Sequence, residues 1–183
     1  MKGSLAITGV IIVITGAIIF FAKLYPVAII DGSPIWYRTW NRYFQGTEHA
    51  LAVQARSTGT QFTPDASVLS VLKKDTLSAL IEDKILTDKA RKLFPEFDTE
   101  SEERIHNAIK FSKDMGEATQ LMYGFSSADF HDLILLPQSH REVIQENFSK
   151  QKIDFPAWFA GIKKKARVRF FLISYTWDGD SVK

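Results

Sequence analysis

The sequence predicts a mainly α protein: several helices in one domain, closed by a short two-stranded β pairing of its two ends and preceded by one transmembrane helix. Three observations predict it. Residues 3–22, from Gly3 to Ala22, carry no charged side chain and match the roughly 20 apolar residues that cross a hydrocarbon core of about 30 Å. Between residues 63 and 165 apolar side chains recur at helical spacing, interrupted by proline, glycine and hydroxyl breaks. Only Val27-Ala28-Ile29-Ile30 and residues 166–177 read as strands. A lone strand is not stable, so these two are expected to pair. The expected boundaries are an anchor over residues 1–24 and a helical domain over residues 25–183.

The anchor is the first element. A cleaved secretion signal has an apolar core of about 7–15 residues and a small-x-small cleavage site. Here the run closes on Phe20-Phe21-Ala22-Lys23, so an uncleaved anchor in contact with the lipid bilayer is expected. Charge does not orient it: Lys2 lies on one side, and Lys23, Arg38 and Arg42 on the other. The 23 basic and 21 acidic residues leave a net charge of +2, which gives no general attraction to nucleic acid. With no cysteine in the chain, disulfides and thiolate chemistry are excluded.

Asp31-Gly32 stops the first strand, and Ser33-Pro34 reads as a helix start. The helix expected from Pro34 to about Arg56 places Trp36, Trp40, Tyr43 and Phe44 at i, i+4, i+7 and i+8, on one face. Such a stripe is either core or a partly open cradle for a client chain. Residues 57–63 form a polar loop. The helix over residues 68–94, opened by Thr63-Pro64 and closed by Pro95, carries Leu69, Leu72, Leu77, Leu80, Ile81, Ile85, Leu86, Ala90 and Leu93. That set is too wide for one stripe, so this helix is expected to sit between neighbours as the core.

Thr99 and Glu102 have the spacing of a capping box, and the surrounding acids suit a helix N-terminus. The helix is expected to continue to Met122 and to stop at Tyr123-Gly124. Residues 126–129 start another, which Pro137 breaks. A further amphipathic helix follows over residues 138–152, then a short one led by Phe155-Pro156 into Lys163-Lys164-Lys165.

The four histidines, His49, His106, His131 and His140, lack metal-ligand spacing, and no phosphate loop, nucleophile elbow or catalytic constellation is found. Neither a catalytic residue, nor a metal, nor a cofactor is expected. Lys163, Lys164, Lys165 and Arg167 form a basic run. It is read as a solvated helix end or as a contact with anionic lipid.

Taken in order, these motifs resemble the N-terminal domain of SurA-type periplasmic chaperones, also found in PpiD and PrsA-like foldases. Val27, Ala28, Ile30, Asp31, Gly32 and Ile35 match the family's first-strand pattern. Leu80, Ile81, Ile85, Leu86 and Ala90 match its core helix, and Tyr123, Gly124, Phe125, Ser126, Asp129 and Phe130 match its Y-G-L/I-S-x-x-D/E-F motif. The likeness spans roughly residues 26–171. The parvulin isomerase domain that many members carry has no room here, and Phe170 stands where the first parvulin strand usually has histidine. The resemblance implies an ATP-independent holdase. It would be held by a single span in the cytoplasmic membrane, with most of the chain outside, and would bind unfolded or nascent exported polypeptides. The alternatives are a non-catalytic adapter docking one membrane partner and a degenerate peptidyl-prolyl isomerase.

Overall fold

Asp31 and Gly32 both take positive φ, +48° and +98°, as the two central residues of a tight primed hairpin turn require. In the computed structural model, which describes residues 23–110 and 115–183, this turn joins β1 (Pro26–Ile30) to an antiparallel β2 (Ser33–Trp36). The helix start expected at Ser33-Pro34 is therefore a strand. Pro34 is tolerated because it lies on an edge strand, where a missing N–H need not break the ladder. On the other side of β1, β3 (Val168–Phe170) pairs antiparallel through Ala28–Phe170 and Ile30–Val168. The two ends of the domain do pair, but within a three-stranded sheet ordered β2-β1-β3 rather than a two-stranded one.

The strand expected over residues 166–177 is shorter than the pattern suggested. Phe171 N still donates to the Val27 carbonyl at 3.0 Å; Leu172 then turns to φ +60° and takes the chain off the sheet. Further on, Trp177 and Val182 face each other across a small antiparallel bridge. Val182 N donates to Ser78 Oγ, and the Val182 side chain is buried in the core.

The first helix, α1, is Tyr37–Ser57, and the second, α2, is Ala66–Leu93. Asp65 caps α2, accepting from Ser67 N and Val68 N at 2.8 and 2.9 Å, so the expected role of Thr63 passes to the carboxylate two residues on. The middle of α2 is the hub. Leu77, Ile81 and Ile85 are buried against Val27, Ala28 and Ile30 of β1, with Ile35, Trp40 and Val182. From the next residue on, Leu86 and Ala90 join a second core with Phe97, Val143, Ile144, Phe148, Phe155 and Phe159. The expectation of a helix apolar on two sides is met because it serves two cores in succession.

The next helix, α3 (Phe97–Ile109), begins two residues before the Thr99–Glu102 box, and no side chain caps it. Of the helix expected to run through to Met122, the described residues give α3 as far as Ile109 and α4 over Met115–Tyr123; residues 111–114 lie outside the described set. Gly124, at φ +64°, makes the expected stop. Ser126 and Asp129 cap α5 (Ser127–Phe130) reciprocally. The break expected at Pro137 is absent: a π-helical turn (His131–Leu135) carries the chain directly into α6 (Leu136–Lys150). Pro137 then falls in the first turn of α6, where its ring and missing N–H are tolerated. Asp154 caps the last helix, α7 (Phe155–Lys165), by accepting from Ala157 N.

Among the described residues no helix is long and apolar enough to cross a membrane. The run expected to be the anchor, residues 3–22, lies outside them.

One close approach fixes α1 against the segment after α4. Phe125 is 1% exposed, stacks on Tyr123 at 5.6 Å, and lies beneath the Arg42 guanidinium. A Cβ built on Gly46 would come within 2.0 Å of Phe125 Cζ. The ring therefore occupies the space that any other residue at position 46 would fill, and the Arg42–Asp129 ion pair at 2.6 Å closes over it.

Candidate functional site

The aromatic residues of α1 do not share one surface. Trp36 falls outside the helix, on edge strand β2, and is 47% exposed. Trp40 is 6% exposed; its indole Nε1 donates to the Lys73 carbonyl at 3.1 Å and to Thr76 Oγ1 at 3.3 Å. Both partners lie on α2, and an indole N–H buried with partners is anchored in place. Tyr43 and Phe44 are half-buried, on different sides of α1.

Two clefts result. The first, about 320 Å³, is lined by Tyr37, Trp40, Asn41 and Phe44 of α1, Lys73 of α2, and Ile173 and Tyr175 of the segment that leaves β3. Its floor is Trp40, and Tyr37 meets that ring edge-on with centroids 5.6 Å apart. The Lys73 ammonium sits 5.4 Å from the centre of the Phe44 ring, and the Lys74 ammonium 5.7 Å from that of Tyr175. Burial pushes the Tyr175 hydroxyl above its ordinary value. The second cleft, about 300 Å³, runs between α1, α2 and α6 and is lined by Tyr43, Ala79, Leu80, Asp83, Leu133, Pro137, Gln138 and Arg141. Burial, with Tyr123 and Asp83 nearby, raises the Tyr43 hydroxyl likewise.

A third and larger cleft, about 620 Å³, is polar. Arg38, Arg42, Gln45, Asp129 and Asp132 are among its lining. Two of its charges are committed to each other in the Arg42–Asp129 pair.

The basic run divides as well. Lys163 points inward, its ammonium 3.0 Å from Glu82 and 2.5 Å from Asp180 and placed over the Phe159 ring. Burial works against its charge, but the two carboxylates outweigh that and raise its pKa above 10.5. Lys164 and Lys165 are exposed, and Arg167 reaches Asp31 at 3.6 Å while remaining largely solvated. Three cations of the run thus face outward and one is structural. Among the described residues no group of three His, Cys, Asp or Glu is placed to hold a metal ion.

The stripe spacing locates Trp40 and Phe44 on the first cleft, and Tyr43 only one residue away on another. Sequence reasoning missed Lys73, Lys74, Ile173 and Tyr175. The two lysines lie on the helix read as the core, and Ile173 and Tyr175 in a segment expected to be strand, which ends earlier. The pairing of β1 with β3 was the available signal, since it returns the segment after Phe170 to the first turns of α1. No protein-family model matches the chain, and neither a curated protein nor a solved structure matches it.

Proposed function

We propose that the chain is an ATP-independent holdase, tethered to the cytoplasmic membrane by residues 3–22, that covers apolar side chains of unfolded or nascent exported polypeptides. The observation that carries the proposal is the groove of Tyr37, Trp40, Phe44, Ile173 and Tyr175, a concave aromatic surface on the domain. The order of the motifs resembling the SurA N-terminal domain supports the same reading. Trp40 is the pre-set floor, held by two hydrogen bonds; Phe44, Tyr37 and Tyr175 are the surfaces a client touches. A client side chain that covers about 100 Å² of apolar surface gains roughly 2.5 kcal/mol. That suits weak, repeated and poorly selective contacts.

The test is light scattering of a chemically denatured client, without ATP, with the full chain in neutral detergent micelles. Suppression near stoichiometric amounts is expected, and Phe44→Ala is expected to weaken it while leaving the helical circular dichroism intact. Trp40→Ala is expected to unfold the domain, because it removes a buried ring. Unchanged scattering with a folded chain refutes the holdase and leaves the adapter reading.

A further inference from the structure

Resting on the holdase reading, we infer that the aromatic groove selects client segments in which aromatic or aliphatic residues alternate with acidic ones. Three rings at the groove each carry a lysine. Lys23 stands 5.6 Å from the centre of Tyr37, Lys73 stands over Phe44, and Lys74 over Tyr175. The rings hold these ammonium groups by cation–π attraction, and among the described residues none of the three pairs with a carboxylate. Lys73 lines the groove itself, while Lys23 and Lys74 lie beyond its lining and stand over the lining rings of Tyr37 and Tyr175; among the described residues no carboxylate lines the groove or stands over those rings. Elsewhere on the domain Lys84, Lys89, Arg91, Arg104, Lys150 and Lys163 have acidic partners, whereas exposed cations such as Lys92, Lys164 and Lys165 have none among the described residues. What sets the groove apart is that its unpaired cations stand over aromatic rings.

An apolar floor between unpaired cations favours an occupant of complementary charge. An extended client alternates its side chains every residue, so an apolar side chain can enter the groove while a neighbouring carboxylate meets an ammonium at its rim. Basic segments are repelled by the same three charges. Each exposed rim pair changes affinity by roughly 1.5-fold to 5-fold, so three acting together separate an acidic from a basic peptide by at least about tenfold.

The probes are short fluorescein-labelled peptides in which Phe and Tyr alternate with Glu, with Gln or with Lys, titrated by anisotropy into the full chain in neutral micelles. The expected order of affinity is Glu over Gln over Lys. The gap should close in 1 M salt, where the Debye length is about 3 Å. The double variant Lys73→Glu/Lys74→Glu is expected to invert the order. Lys73→Gln and Lys74→Gln, checked by circular dichroism, should each narrow it with less risk to folding. Equal binding of the three peptides overturns the inference and leaves the holdase reading standing. An order that survives in folded Gln and Glu variants also overturns it, by placing the selection elsewhere. If no peptide binds and client scattering is not suppressed, both readings fall. If phosphatidylserine vesicles displace the Glu peptide while phosphatidylcholine vesicles do not, the lysines serve an anionic membrane surface and the acidic client is refuted.

Discussion

Gly46→Ala is expected to destabilise the domain although it improves the helix that contains it. In an exposed helix interior the exchange gains about 1 kcal/mol. Here the new methyl would overlap Phe125, whose Cζ and Cε1 lie 2.0 and 2.1 Å from the ideal Cβ position. The ring cannot tilt away cheaply, because Tyr123 stacks on it and Arg42 lies above it. Full expulsion of a phenylalanine exposes on the order of 150 Å², or about 4 kcal/mol, as an upper bound. Partial displacement halves that, so a net loss of about 1–3 kcal/mol remains. Urea unfolding of the full chain in mild detergent, followed by tryptophan fluorescence, measures it. A double-mutant cycle isolates the cause: in a Phe125→Ala background the clash is gone, and Gly46→Ala should turn stabilising by about 1 kcal/mol. If Gly46→Ala is neutral or stabilising in the parent chain, Phe125 is not seated on position 46.

Three further outcomes follow from individual contacts. Trp40→Phe keeps a ring in the groove floor but leaves the Lys73 carbonyl and Thr76 Oγ1 without the indole donor, and should cost about 1–2 kcal/mol in the same unfolding assay. Asp178 accepts from Ser181 N and Asp180 N and meets Lys183, which together lower its pKa from 3.8 to about 2. A lowered carboxylate stabilises the fold above its unfolded pKa, so the contribution to the Trp177–Val182 hairpin is full above about pH 4 and disappears as pH falls toward 2; Asp178→Asn should remove that transition from the tryptophan fluorescence. His131 is held by Asp132 at 2.8 Å against the opposing effect of burial, with Glu102 at 3.0 Å, and its pKa is raised above 6.5. Its stabilising contact between α3 and the π-helical turn is therefore complete below pH 6.5 and lost as pH rises through the raised value. An imidazole NMR titration at or below 6.5 contradicts this.

The parts of the fold written in local chemistry were legible, and those that depend on partners were not. The two-sided apolar set of α2 announced a helix between neighbours, and Gly124 and residues 126–129 announced a stop and a start. Asp31-Gly32 was read as a turn, yet its stronger meaning, a hairpin, was lost to Ser33-Pro34, because proline suits both a helix start and an edge strand. Pro137 was read as a break because a proline inside a regular α-helix clashes with the preceding turn; the π-helical turn that accommodates it has no signature in sequence. The aromatic stripe was visible, but its division between two clefts was not. That division depends on where α2 and the segment after β3 lie, and no residue of the stripe reports their positions.

The Ile30–Val168 pairing spans about 140 residues of chain, and this sets an order of events during synthesis. At about 5–20 residues per second, β1 waits roughly 7–28 s before its second partner exists. In that interval the helix pair α1–α2 can close locally, while one side of β1 shows unsatisfied backbone groups to any other extended chain. The newborn domain is thus most exposed to mispairing at the edge that its own last strand will cover, and the delay lengthens with every slow codon between the two.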